Sequence, residues 1–214
     1  MNRIVYLHGF ASTPASSKAR FFAKRLRDAG ASVDVPDLAA GDFEHLTLSA
    51  QLQVIEHAAA GEPVTLVGSS MGGYLAALYA QRHPETTHVV LLAPAFCFAR
   101  RWADRMGAEA VANWRTTGTV EVWHYGENRM CNLAYGLLED ARQYPDYPDF
   151  HQPALLFHGV HDDVVPPQFS VEFAATHPNA CLEVLNSGHD LINVLDYMAP
   201  KVSAFLLTPA RDQQ

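Results

Sequence analysis

Short apolar runs alternate with longer helical patterns along most of this chain, and this alternation constrains the fold more than any other feature. The apolar runs lie at residues 3–10, 32–38, 63–68, 88–96, 153–159 and 181–185. The helical patterns lie at residues 16–30, 47–60, 70–84, 167–178 and 191–207. Runs rich in Val and Leu are typical of strands buried on both faces. We therefore predict an α/β protein with a mostly parallel sheet of about six strands and helices on both faces.

The alternation is interrupted between about residues 97 and 150. This stretch is rich in Arg, Pro and aromatic residues, with one candidate hairpin strand at 119–126. We interpret it as an insertion the size of a small lid, within a single domain that spans residues 1–214. Most of its large aromatic side chains are expected to form a small core of the insertion, and one or two to face a pocket. They are Trp102, Trp114, Trp123 and Tyr125.

Composition and charge exclude several classes of partner. The formal net charge is −8, whereas a nucleic-acid backbone attracts clustered Lys and Arg. The sequence shows no basic amphipathic helix of the kind that binds a membrane surface. It also contains no run of the ~18 apolar residues that a membrane span needs. The first ten residues lack the apolar core of a signal peptide, and the three cysteines form no Cys-x-x-Cys pair. We expect a cytoplasmic protein with reduced thiols, and the sequence carries no indication of its oligomeric state.

The pentapeptide GSSMG at residues 68–72 has the form Gly-x-Ser-x-Gly. An apolar run precedes it and a helical pattern follows, which is the context of a nucleophile elbow, a sharp turn that exposes a serine hydroxyl. Ser70 occupies the middle position. Gly68 and Gly72 flank it. Glycine suits both positions, because we expect the backbones to approach each other too closely there for larger side chains. The alternative is that Ser70 only caps the following helix.

A serine nucleophile needs a histidine base, and the base needs a carboxylate to orient it. Later strand ends supply both in the chain order serine, acid, histidine. His189 follows the last predicted strand, and Asp162 follows the preceding one at Gly-x-x-Asp spacing from Gly159. Asp163 is the alternative acid. If Asp162 is the acid instead, we expect Asp163 to cap the turn that follows. His158 is expected to pack beneath the site.

Two backbone N–H groups are needed to stabilise the oxyanion of an acyl-transfer intermediate. The first candidate is the N–H of Met71, at the start of the helix after the nucleophile. The second is the N–H of Phe10, in the loop that follows the first strand. Gly9 would let that loop approach the nucleophile, and His8 is expected to brace it.

Two other groups of polar residues have a second interpretation. The segment HGVHDD at 158–163 contains four potential metal ligands, but alternating side-chain directions would separate them and no second cluster has matching spacing. We therefore expect no metal. Arg100, Arg101 and Arg105 cluster at the start of the insertion. A solvated helix face is the favoured interpretation, and recognition of an anionic group on the substrate is the alternative.

Four motifs together resemble the α/β-hydrolase superfamily: HGF at 8–10, GSSMG at 68–72, HGVHDDVVP at 158–166 and SGH at 187–189. The opening YLHGFASTPASSKA is similar to that of the small bacterial YqiA-like predicted esterases. The resemblance covers essentially the whole chain. It implies an α/β-hydrolase fold without the leading antiparallel strands of larger members.

This resemblance also implies a serine hydrolase that cleaves carboxylic esters of small substrates without a cofactor. Ser70, His189 and Asp162 would form its triad, and an acyl-enzyme would be the intermediate. A thioesterase, a peptidase and an acyltransferase are alternatives on the same triad. A non-catalytic binding module on the same scaffold is the alternative from another class.

Overall fold

The structure is a computed structural model and describes residues 3–207. Its strands in chain order are β1 (Arg3–Leu7), β2 (Ser32–Asp34), β3 (Thr65–Ser69), β4 (Val89–Leu92), β5 (Thr119–His124), β6 (Arg129–Ala134), β7 (Ala154–Gly159) and β8 (Ala180–Leu185). Six of them form one sheet in the order β2-β1-β3-β4-β7-β8, and every neighbouring pair in it is parallel. The predicted sheet is confirmed.

Helices pack on both faces of this sheet. They are α1 (Ser17–Asp28), α2 (Leu48–Ala59), α3 (Met71–Arg82), α4 (Phe98–Met106), α5 (Ala108–Thr117), α6 (Gly136–Ala141), α7 (Gln168–Thr176), a 3₁₀ turn (Ile192–Val194) and α8 (Leu195–Leu207). Alternate residues of β1 enter different hydrophobic clusters, with Val5 in one and Ile4 in the other. The first cluster includes residues of α2, α3 and α7, and the second includes residues of α1 and α8. Burial of the strands on both faces explains their continuous apolar runs.

The ends of the first two long helices follow ordinary capping chemistry. The Ser16 side chain accepts a hydrogen bond from the Ala19 N–H, and Thr47 does the same for Ala50. The last helix, α8, continues through Pro200 without ending there. Within residues 3–207, no helix is both long and apolar enough to cross a membrane. The sequence predicts a frayed tail at 208–214, but these residues lie outside those that the structure describes.

Residues 98–150, here called the β4–β7 segment, form the interruption seen in the sequence. They contain α4, α5, α6 and the antiparallel hairpin of β5 with β6, so the hairpin strand at 119–126 is confirmed. Trp114 is buried and donates its indole N–H to the Leu133 carbonyl oxygen at 3.0 Å. By contrast, Trp123 is 43% exposed and Tyr125 is 75% exposed. The expectation that most of the four large aromatic side chains form a local core is therefore wrong, because two of the four are exposed.

Candidate active site

Ser70 lies on the turn between β3 and α3 with φ +54° and ψ −115°. A side chain with a Cβ rarely adopts this conformation, and holding it costs on the order of 1–3 kcal/mol. The turn is fixed by its backbone: the Ser70 N–H donates to the Leu92 oxygen at 2.9 Å, and the Ser70 oxygen accepts from Ala95 at 3.0 Å. The hydroxyl makes no capping hydrogen bond to α3. A capping role for the Ser70 side chain is therefore not supported.

The flanking glycines allow the strands and the helix to meet at this turn. A Cβ on Gly72 would overlap the carbonyl oxygens of Leu7 and His8 at the end of β1. A Cβ on Gly68 would overlap the Gly72 backbone. Gly9 also lies against the turn, since its own Cβ position would be 3.5 Å from the Ser70 Cβ. The loop after β1 and the serine turn are thus in direct backbone contact.

His189 follows β8 and connects the serine to a carboxylate. Its Nε2 lies 3.0 Å from the Ser70 hydroxyl oxygen, and its Nδ1 lies 2.7 Å from Oδ2 of Asp162. Because the carboxylate can only accept, Nδ1 carries the proton and donates to Asp162. The Nε2 lone pair then accepts the hydrogen bond from the serine hydroxyl. The structure thus brings together three side chains that are 27 to 119 residues apart.

Asp162 lies in the loop after β7, and its side chain is completely shielded from solvent. Its Oδ1 accepts from the backbone N–H groups of Val164 at 2.9 Å and Val165 at 2.7 Å. Burial raises the pKa of Asp162, but hydrogen bonds from His158 and His189 outweigh it and hold the pKa well below its usual value. Asp163 is exposed. The turn is capped by Asp162 itself, so the expected capping role of Asp163 is wrong.

His158, the penultimate residue of β7, completes the surroundings of this carboxylate. Its Nε2 lies 3.0 Å from Oδ2 of Asp162 and 2.8 Å from the Val165 oxygen, while its Nδ1 lies 2.7 Å from the Ser170 hydroxyl. Both neighbours of Nε2 are acceptors, so Nε2 carries a proton. The sequence predicted that His158 packs beneath the site but not that it bonds to Asp162. The four-residue spacing between His158 and Asp162, across the end of a strand, was the only feature that could have indicated this bond.

The two predicted oxyanion donors lie on the elements expected for them. Met71 is the first residue of α3, and Phe10 follows β1 directly after Gly9. His8 is buried, with Nε2 accepting from the Leu38 N–H at 3.2 Å and Nδ1 3.0 Å from the Gly9 oxygen. Burial lowers the pKa of His8, which favours the neutral ring that this acceptor role requires. His8 therefore braces the loop, as expected, whereas the donor roles of Phe10 and Met71 remain predictions.

The potential metal ligands of residues 158–163 are bonded to protein groups. His161 is exposed, and its Nε2 lies 2.9 Å from the side-chain oxygen of Asn186 in the loop after β8. His158 and Asp162 bond to each other, as described above. Within residues 3–207, no cluster of three or more His, Cys, Asp or Glu has an arrangement that could hold a metal ion.

The three arginines of α4 point in different directions. Arg100 is exposed and pairs with Asp146 at 3.1 Å, and Arg105 is also exposed. Arg101 instead donates from Nη1 to the Val164 oxygen at 2.7 Å, in the loop that carries Asp162. A solvated helix face therefore describes Arg100 and Arg105 but is wrong for Arg101.

The six-stranded parallel sheet, with the serine turn after β3, defines the class of this protein as an α/β-hydrolase fold. Residues 3–206 match the model of UPF0227, which is described as an uncharacterised protein family. The chain belongs to this family, and the expected resemblance to YqiA-like predicted esterases is confirmed. A comparison with curated proteins gives no match.

Solved structures with similar folds come from distant sequences. Alpha/beta hydrolase domain-containing protein 10 from mouse superposes with a TM-score of 0.81 at 18% identity, covering 95% of this chain and 88% of that one. Est1E from Butyrivibrio proteoclasticus, with ferulic acid bound, superposes with a TM-score of 0.78 at 19% identity, covering 97% of this chain and 88% of that one. A monoacylglycerol lipase from Paleococcus ferrophilus superposes with a TM-score of 0.71 at 17% identity, covering 96% of this chain and 93% of that one. At these identities the likeness establishes the fold.

Proposed function

We propose that this protein is a serine hydrolase that cleaves carboxylic ester bonds of small substrates through an acyl-enzyme. One observation carries the proposal: His189 bridges the Ser70 hydroxyl and the Asp162 carboxylate at 3.0 and 2.7 Å. A hydroxyl is a weak nucleophile at neutral pH, and this arrangement supplies both a base and a group that orients the base. A non-catalytic module would have no need of a strained serine with a histidine at its hydroxyl.

In the first half of the reaction, Ser70 Oγ forms a bond to the ester carbonyl carbon while Nε2 of His189 takes the hydroxyl proton. The carbonyl π electrons move to oxygen, and the N–H groups of Met71 and Phe10 would stabilise that charge. Collapse of the tetrahedral intermediate breaks the bond to the alcohol. His189 returns its proton to the leaving alkoxide, and the acyl group stays on Ser70.

In the second half, water attacks the acyl carbon, and His189 removes a proton from that water. The intermediate releases the carboxylic acid, and Ser70 regains its hydrogen from His189. Asp162 remains ionised throughout, because its hydrogen bonds hold its pKa well below the usual value. Its charge stabilises the imidazolium that forms twice in each cycle.

Esters are the favoured substrates among the alternatives on this triad. Est1E is described with ferulic acid bound, and another structure of the same fold is described as a monoacylglycerol lipase. These descriptions support carboxylic ester chemistry in the present chain. A panel of matched ester, acyl-thioester and amide substrates tests the choice, and we expect the highest kcat/KM for the ester.

The direct test is turnover of a short p-nitrophenyl ester by Ser70→Ala. We expect kcat to fall by at least about 10⁴-fold with the folded state retained. A fluorophosphonate probe should label the wild type and not the variant. Ser69→Ala is the matched control, because Ser69 precedes Ser70 but does not contact His189, and it should still be labelled. Retained turnover in Ser70→Ala, or no labelling of the wild type, contradicts the proposal.

A further inference from the structure

Helix α4 contacts two loops of the candidate site: the loop after β7 that carries Asp162, here called the acid loop, and the loop after β1 that carries Phe10, here called the oxyanion loop. Arg101 bonds to the Val164 oxygen at 2.7 Å, in the loop after β7. The next residue, Trp102, packs against the Phe10 ring with a centroid distance of 5.1 Å, in the loop after β1. Consecutive residues of the β4–β7 segment therefore contact the acid loop and the oxyanion loop.

A short chain of bonds connects Arg101 to the triad acid. The guanidinium donates to the oxygen of Val164, and the N–H of Val164 donates to Oδ1 of Asp162 at 2.9 Å. Val164 itself is 38% exposed, so packing of its side chain contributes little to the position of the loop. The hydrogen bond from Arg101 thus adds a restraint to a segment that Asp162 and the buried Val165 also hold.

The placement of Arg101 costs stability, which argues against a purely structural role. Its Nε is buried and has no hydrogen-bond partner among the described residues. Burial lowers the pKa of the guanidinium, and the charge of Asp162 opposes that change. An arginine nevertheless remains protonated at every pH at which the enzyme would work. The positive charge of Arg101 therefore lies close enough to Asp162 to interact with its carboxylate.

We propose that Arg101 is a positioning residue, which holds the acid loop from the β4–β7 segment so that Asp162 can orient His189. This inference rests on the proposed function. Without the hydrogen bond from Arg101, Val164 would lose a restraint, and its N–H would hold the Asp162 carboxylate less firmly.

The experiment compares Arg101→Met, Arg101→Lys and Arg105→Met, using kcat and KM for one neutral p-nitrophenyl ester at a fixed pH. For Arg101→Met we expect kcat to fall about tenfold to 100-fold and KM to stay within about twofold, because the loop that carries Asp162 loses a bond from a charged donor. Arg101→Lys keeps a charged donor and should recover most of that loss. Arg105→Met, which removes the same charge from the exposed face, should match the wild type.

The inference is overturned if Arg101→Met keeps the wild-type kcat, or if Arg105→Met lowers kcat equally. An equal loss of kcat in the Met and Lys variants also overturns it, since lost packing of the guanidinium would explain that result. If Arg101→Met does not fold, Arg101→Gln keeps a neutral donor, and a smaller loss of kcat with unchanged KM is expected. Failure of the proposed function is distinguishable, because the wild type would then show no Ser70-dependent turnover.

Discussion

Nε2 of His158 lies 3.0 Å from Oδ2 of Asp162, and neither side chain has any contact with solvent. Together with His189 and two backbone N–H groups, His158 gives this carboxylate four hydrogen-bond donors. A buried carboxylate needs such partners, because an unpaired buried charge is strongly disfavoured. The carboxylate that orients His189 is therefore itself held from below by a second histidine.

Replacing His158 by Phe keeps the ring volume and removes the donor to Asp162. We expect kcat to fall by about tenfold to 100-fold, because a hydrogen bond to a charged group contributes about 1.5–3 kcal/mol. Steady-state kinetics on a short p-nitrophenyl ester measure the change. Ser170→Ala is the control: it removes the partner of Nδ1 but leaves the bond to Asp162, and should have a smaller effect. Equal activity in His158→Phe and the wild type would contradict this role.

The lowered pKa of Asp162 predicts a specific loss of stability in acid. An unfolded aspartate takes up a proton near its usual pKa of 3.8, whereas the folded carboxylate stays ionised to lower pH. Below about pH 5 the unfolded state therefore binds more protons, and the free energy of unfolding falls as pH falls. The stabilisation is complete above this range and is lost progressively through it.

Urea unfolding of the wild type and Asp162→Asn between pH 3 and 7 measures this effect. The difference in unfolding free energy between the two proteins should be constant from pH 5 to 7 and shrink below about pH 4. Asp163→Asn, at the exposed neighbouring position, should give a curve parallel to that of the wild type. A pH-independent difference for Asp162→Asn would show that the carboxyl has an ordinary pKa in the folded state.

Much of this fold follows from the sequence because its signals are local. The inner strands β3, β4 and β7 are buried along their whole length, and burial on both faces gives apolar runs such as Val89–Leu92. The candidate site could be predicted for a related reason. Ser70, Asp162 and His189 each lie in the connection that follows a strand, and parallel strands bring their carboxyl ends to one edge.

The remaining features depend on contacts between distant parts of the chain. Arg101 and its partner Val164 are 63 residues apart, and helical spacing does not reveal which of three neighbouring arginines turns inward. Trp123 lies opposite Met130 in the hairpin, and 46% of Met130 is exposed. Its aromatic character suggested burial for Trp123, but a two-stranded hairpin has an outer face that nothing in the described part of the chain covers.

Alanine at position 72 should disrupt the serine turn. Its Cβ would overlap the carbonyls of Leu7, at the end of β1, and of the following His8, which are backbone atoms and cannot move aside easily. We expect a loss of about 1–3 kcal/mol or more, on the scale of overpacking a close-packed interior, together with loss of any turnover of the p-nitrophenyl ester. Thermal unfolding with a parallel activity assay measures both.

Gly136→Ala is the matched control for this substitution. Gly136 begins α6, and an added Cβ there meets no atom within 4 Å. Alanine should be neutral or stabilising by up to about 1 kcal/mol in that helix. If Gly72→Ala were as stable and active as Gly136→Ala, the serine turn would not depend on the close approach of β1.

The contact between Gly72 and the end of β1 also bears on how such a protein can diverge. The separation between the serine and the loop carrying Phe10 is set by main-chain atoms touching one another, and a main chain is the same whatever residues it bears. Substitutions elsewhere in the interior can accumulate over evolutionary time without altering that spacing, provided the glycine persists. The distance between Ser70 and this loop thus depends on one glycine and not on the identity of the surrounding side chains.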